Sequence, residues 1–102
     1  MANVRVQWVL PTTRESGKPL NPADIKHVVI EVSADGGANY APVGEFAPNE
    51  LETTIQDVDF GEWFFRGTVV DTKDRASNPV VASILNEDTT APSELTLTLS
   101  FA

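Results

Sequence analysis

The stretch DFGEWFFRGTVVDTKDRASNP, residues 59–79, carries Phe60, Trp63, Phe64 and Phe65 and then runs out through Asp71, Lys73, Asp74 and Arg75 into Asn78-Pro79. Taken with a period of two, Trp63, Phe65, Gly67 and Val69 share one face, and Phe64, Arg66, Thr68 and Val70 share the other. Apolar spacing of three and four residues, the mark of a helix, is absent. The segment reads as a β-strand whose first face is core, where each large side chain contributes about 1.5–3 kcal/mol when fully buried.

The same period extends outward in both directions. Val4, Val6, Trp8 and Leu10 alternate, and PTTRESGKPLNPAD, residues 11–24, follows as a polar loop with Pro11, Pro19 and Pro22. Ile25 to Ser33 places Val28, Ile30 and Val32 opposite His27, Val29 and Glu31. SADGGANY, residues 33–40, reads as a hairpin turn, because Asp-Gly-Gly supplies the positive φ that tight turns demand, and Ala41 to Phe46 returns as a strand. Leu51, Thr53 and Ile55 alternate before a corner at Asp57 to Gly61. VVASIL, NEDTTAPS and ELTLTLSF complete the chain, the last alternating without a fault over residues 94–101. The pattern predicts an all-β fold, a seven-stranded antiparallel β-sandwich, with no internal repeat.

Composition narrows the class. A chain of 102 residues, 41% hydrophobic, makes one domain over residues 1–102 with a real core. Without cysteine there are no disulfides, thiol nucleophiles or thiolate metal sites. A net charge of −8, with scattered basic residues, argues against nucleic acid, whose phosphates need clustered Lys and Arg. The opening MANVRVQWVL lacks the features of a signal peptide, and no apolar run approaches the roughly 18 residues of a membrane span. These features imply a soluble protein made in a cytoplasm, with no membrane partner.

Taken in order, the motifs resemble a fibronectin type III domain of the immunoglobulin-like class over residues 4–85. VRVQW then LP matches a strand ending in Trp before a Pro-containing loop. IKHVVIEVS matches that family's third strand, and DGGANY its hairpin with an aromatic just after. Val58, Gly61 and Trp63 take the places of the apolar residue, Gly and Tyr of its corner, and RGTVVDTKDRASNP matches the strand that continues into an Asp, a turn and a Ser-x-Pro. There are two departures. Trp63 offers only an indole N–H where the family's tyrosine hydroxyl bonds back to the backbone, so that bond is changed or lost. Gly67 stands where a branched residue is usual, a gap that Phe65 is positioned to fill. The resemblance also implies a strand before the Trp-bearing one, whereas here Val4 already begins it, so the seventh strand moves to the C-terminus.

No residue pattern carries catalysis. The single histidine, His27, has no supporting Ser, Cys or carboxylate spacing and reads as an exposed strand residue. Gly36-Gly37 lies in a hairpin with no helix behind it, so it is a turn and not a phosphate cradle. Asp57-Val58-Asp59-Phe60-Gly61-Glu62 is similar to the start of a calcium loop but stops after two ligands and reads as a solvated corner. The expectation is a non-enzyme with no catalytic residue, cofactor or metal.

What remains is surface. With Phe65 inward, Phe64, Arg66 and Val70 point outward and are joined by Val29, a mixture of aromatic, Arg and aliphatic groups that interfaces favour; a covering loop or terminal segment is the alternative. Residues 89–102 form a linker and a strand whose Leu95, Leu97, Leu99 and Phe101 make a stripe worth roughly 6–12 kcal/mol if buried. It pairs either with a neighbouring subunit or, as a hairpin, with its own chain. Free-standing domains of the resembled kind occur as accessory proteins of bacteriophage virions. The resemblance therefore implies a structural virion protein, a capsid decoration or cement or a tail component, contacting other virion proteins and copies of itself. The alternative is a carbohydrate- or host-surface-binding module using loop 11–24 with Trp8 and Tyr40.

Overall fold

The computed structural model describes residues 2–101, apart from the side chain of Ala2. Six strands are formed among them: β1 (Ala2–Gln7), β2 (Ile25–Ser33), β3 (Ala41–Phe46), β4 (Glu52–Val58), β5 (Gly61–Asp71) and β6 (Val80–Asn86). The only helical element there is a single 3-10 turn, Pro22–Asp24, entered through Asn21, whose side-chain oxygen accepts the Ala23 N–H at 3.0 Å. Every strand pairing is antiparallel. β1 and β4 form a two-stranded sheet, and β3-β2-β5-β6 a four-stranded one.

Register follows the side-chain alternation. Val28 lies opposite Val69, Ile30 opposite Gly67 and Val32 opposite Phe65, so the apolar sets of β2 and β5 share one face of the larger sheet. That face meets the smaller sheet through Val4, Val58 and Phe65, with Val6, Val32, Ile55 and Trp63 packed around them. Ile25, Val28 and Ile30 are buried as well. Among the described residues the six buried apolar ones are aliphatic or phenylalanine. Trp63, expected in the core, is only half-buried at its margin, and so is Trp8.

Three local expectations are corrected. A Cβ at Gly67 would lie 3.5 Å from the Ile30 Cδ1, so the cross-strand isoleucine fills that gap, and Phe65 does not. The first strand stops at Gln7, short of Leu10. Trp8 still donates its N–H to the Leu51 carbonyl at 3.1 Å, but Val9 then turns out into solvent ahead of Pro11. His27 is mostly covered, its side chain 18% exposed, with Nε2 at 3.9 Å from a Glu45 carboxylate oxygen and Val70 opposite it in register.

The expected seventh strand is not formed within the chain. Residues 87–101 carry no strand, and Ala102, the end of that expected segment, lies outside the described residues. The molecule measures 82 × 22 × 20 Å. An extended run from residue 87 to 101 reaches about 50 Å at ~3.3 Å per residue, so the long dimension is largely this tail.

Candidate functional site

The C-terminal stripe is the most exposed apolar feature of the molecule. Leu95, Leu97, Leu99 and Phe101 are each at least 78% exposed. Each of the four residues alternates with a polar one, Glu94, Thr96, Thr98 and Ser100. At the root of the tail the Asp88 carboxylate accepts both the hydroxyl of Thr90 at 2.6 Å and its N–H at 3.0 Å.

The outer face of the larger sheet brings the other four expected residues together. Val29 pairs with Thr68, and Arg66 and Val70 stand diagonally to either side of it, while Phe64 lies further along β5 opposite Ser33. All four are half-buried. Arg66 is also engaged within the chain. Its Nε and Nη2 donate to the two carboxylate oxygens of Glu31, both at 3.0 Å, and its guanidinium carbon sits 4.1 Å from the Tyr40 ring centroid. These contacts keep the guanidinium pKa above its ordinary value, the Glu31 hydrogen bond being the main cause. Val81 and Leu85 of β6, both exposed, extend this face beyond the residues expected on it. Their signal was the alternation of VVASIL, which places Val81, Ser83 and Leu85 beside Arg66, Phe64 and Glu62.

Neither aromatic of the proposed carbohydrate platform is bare. Trp8 packs on Phe46 with ring centroids 5.1 Å apart and planes tilted by 57°, and Tyr40 lies under Arg66. Trp8 has a further peculiarity: its indole N–H is buried without a hydrogen-bond acceptor.

Two carboxylates organise the ends of the larger sheet. At the β2–β3 turn, the Ser33 hydroxyl, fully buried, donates to Asp35 Oδ1 at 2.6 Å and accepts the Gly37 N–H at 3.0 Å. Asp35 in turn accepts the Asn39 N–H and side-chain amide, each at 2.9 Å. Gly36 and Gly37 sit at φ 77° and 88°, where any other residue would be strained. The hydrogen bond from Ser33, followed by those from Asn39, lowers the Asp35 pKa to about 2.

At the opposite end Asp71, buried at the close of β5, accepts the N–H groups of Lys73 and Arg75 at 3.0 and 2.9 Å. It also takes the side chains of Arg75 at 2.7 Å and Arg14 at 3.2 Å. The donors, led by the Arg75 N–H, hold its carboxyl far below the usual range. Asp71 thereby ties the loop after β1 to the loop after β5. A cavity of about 550 Å³ lies between those loops, floored by Ile25 and Val69. Of its charged lining, Arg14, Asp71 and Arg75 are paired with one another within the chain and brace the two loops, and Glu15 is exposed.

The corner before β5 contains the bond that the Tyr-to-Trp departure put in question. Trp63 donates its indole N–H to the Asp59 carbonyl at 3.0 Å. Asn86 closes the same corner from β6, donating to the carbonyls of Val58 at 3.0 Å and Asp59 at 2.9 Å. Asp57 adopts φ 56° and, like Asp59, is exposed. Among the described residues no group of three His, Asp or Glu side chains is placed to share a metal ion, and no helix is long and apolar enough to cross a membrane.

Comparison of the sequence with known protein families and with curated proteins finds no match.

Proposed function

We propose that the chain is a fibronectin type III-like β-sandwich whose first strand is replaced by a C-terminal one, and that it serves as a non-enzymatic structural protein of a virus particle. It acts as a capsid decoration, a cement or a tail component, through protein–protein contacts with its own copies and with other virion proteins. The strand order β1-β4 and β3-β2-β5-β6, the apolar layer between the sheets and the back-bonded aromatic at the corner before β5 support the fold reading.

The observation that carries the functional reading is the C-terminal stripe. Four large apolar side chains held in solvent at alternating positions mark a surface meant for another protein, because a chain that kept them exposed would forgo several kcal/mol of burial. The buried polar groups, Ser33 and Asp71, are engaged in closing turns. The packing of Trp8 on Phe46 and of Arg66 over Tyr40 leaves neither ring as an open platform, which favours the structural reading over the carbohydrate one.

The test is fractionation. Virus particles banded on a density gradient from lysates of cells carrying the coding sequence should contain the chain in many copies per particle. Its absence from the banded particles, or reproducible binding on a glycan array, would overturn the structural reading in favour of a free binding module.

A further inference from the structure

We propose that residues 94–101 of one copy enter the groove between the unpaired edge of β1 and the inner face of β6 of a second copy, adding the strand that the two-stranded sheet lacks. This rests on the reading of the chain as a self-contacting structural protein and names the acceptor for its tail.

The groove follows from how unequally the two sheets match. Four strands face two, so part of the inner face of the larger sheet has nothing across from it. On the β3 side Phe46, opposite Val28 in register, is covered by Trp8. On the β6 side Val80, Ala82 and Ile84 pair with Gly67, Phe65 and Trp63 and therefore point to the same inner face, yet Val80 is 72% and Ile84 46% exposed. The uncovered strip is the inner face of β6.

The edge above it belongs to β1. The short connection 47–51 from the end of β3 to the start of β4 keeps β4 toward the β3 side, because connections this short join neighbours and do not cross other chain segments. β1 is then the strand toward β6, and it pairs only with β4. Its second edge offers unpaired N–H and C=O groups directly over the bare strip.

The tail fits that gap in length, period and chemistry. Eight extended residues span about 26 Å, against about 23 Å for the seven residues of β6. Val4 and Val6 of β1 point in, with Asn3, Arg5 and Gln7 out. The tail repeats this with Leu95, Leu97, Leu99 and Phe101 on one face and Glu94, Thr96, Thr98 and Ser100 on the other. One register parity buries the whole apolar stripe over Val80 and Ile84 while Glu94 and the Thr residues stay in water beside Arg5, and a slip of one residue reverses this.

A second copy is favoured over the chain's own tail by polarity. β6 ends where β1 begins, since Asn86 donates to the Val58 carbonyl and Ala2 pairs with Val58. All pairings in the molecule are antiparallel. To join β1 in that sense its own tail would first have to return the full length of β6, and the linker 87–93, at most about 25 Å when fully stretched, leaves nothing for the turn. A tail from another copy enters from the far end without that constraint. The contact is heterologous, so it propagates as a chain or closes as a ring.

Two full-length variants test it. Leu97→Lys with Leu99→Lys disables the tail, and Val80→Lys with Ile84→Lys disables the groove; the residues are exposed, so each domain should fold as judged by circular dichroism. In sedimentation velocity the unaltered chain should form species that grow with concentration, each variant alone should remain monomeric, and an equimolar mixture should give a heterodimer and stop there. If the groove variant assembles as the unaltered chain does, the tail docks elsewhere and this proposal fails while the self-contacting reading survives. If the unaltered chain stays monomeric throughout, copy-to-copy docking is overturned, and the virion reading then stands or falls on the particle fractionation alone.

Discussion

Residues 61–71 and 94–101 each present one apolar face with a period of two, yet the first run lies at the centre of the molecule and the second outside it. β5 has a hydrogen-bonded neighbour on each side and the β1-β4 sheet across its inner face. The C-terminal run has neither. Strand-forming composition thus prepares a segment for burial, but a paired edge and a facing layer decide whether burial happens within the chain.

The contrast can be broken most forcefully at its buried end. Phe65→Ala should cost roughly 3–5 kcal/mol, enough to remove the cooperative thermal transition of a domain this small. If it melts within a few degrees of the unaltered chain, β5 is not the centre of the core. Trp63→Phe keeps an aromatic ring but deletes the indole donor to Asp59, and a loss of about 1 kcal/mol in denaturant titration is expected for one such bond.

Acid sharpens the comparison between the body and the tail. Asp35 has a folded pKa of about 2 against an ordinary 3.8, and Asp71 is lowered further still. A depressed carboxylate pKa contributes stability that is complete above the unfolded value and is lost as pH falls through the folded one, so the body should weaken as pH drops from about 4 toward 2. Asp35→Asn should flatten that part of the stability-versus-pH curve, and an unchanged curve would mean the turn network does not hold in solution. The smallest effect belongs to the tail. Leu97→Ser should leave the stability of the monomer within about 0.5 kcal/mol of the unaltered chain, as expected for a surface site. A larger loss under monomeric conditions would show that the segment packs on its own domain.

Period-two alternation and turn residues made most of the sheet legible. β2, β3 and β5 lie within a residue or two of where their apolar sets and the Asp-Gly-Gly turn put them, because each is bounded by residues with firm φ requirements. The parts that were not legible depend on contacts between segments distant in sequence. That Ile30, and not Phe65, covers Gly67 is decided by cross-strand register. Trp8 and Trp63 sit at the margin because two strands cannot cover four.

The candidate surfaces divide the same way. Alternation alone put Phe64, Arg66, Val70 and Val29 on one outer face, but it could not show that Glu31 and Tyr40 occupy Arg66. Asp71 was visible only as the acid ending a strand. Its hold on Arg14, 57 positions away, needed the fold.

The extended tail also has a mechanical meaning. If the tail pairs antiparallel along β1 of a second copy, tension between the two copies pulls it along its own length, parallel to the strand it pairs with. Force in that direction shears a strand along its neighbour, and all the hydrogen bonds of the pairing must yield together; force across the sheet would open them one after another. Such a joint would be soft to bending through the linker 87–93 and resistant to being pulled apart lengthwise.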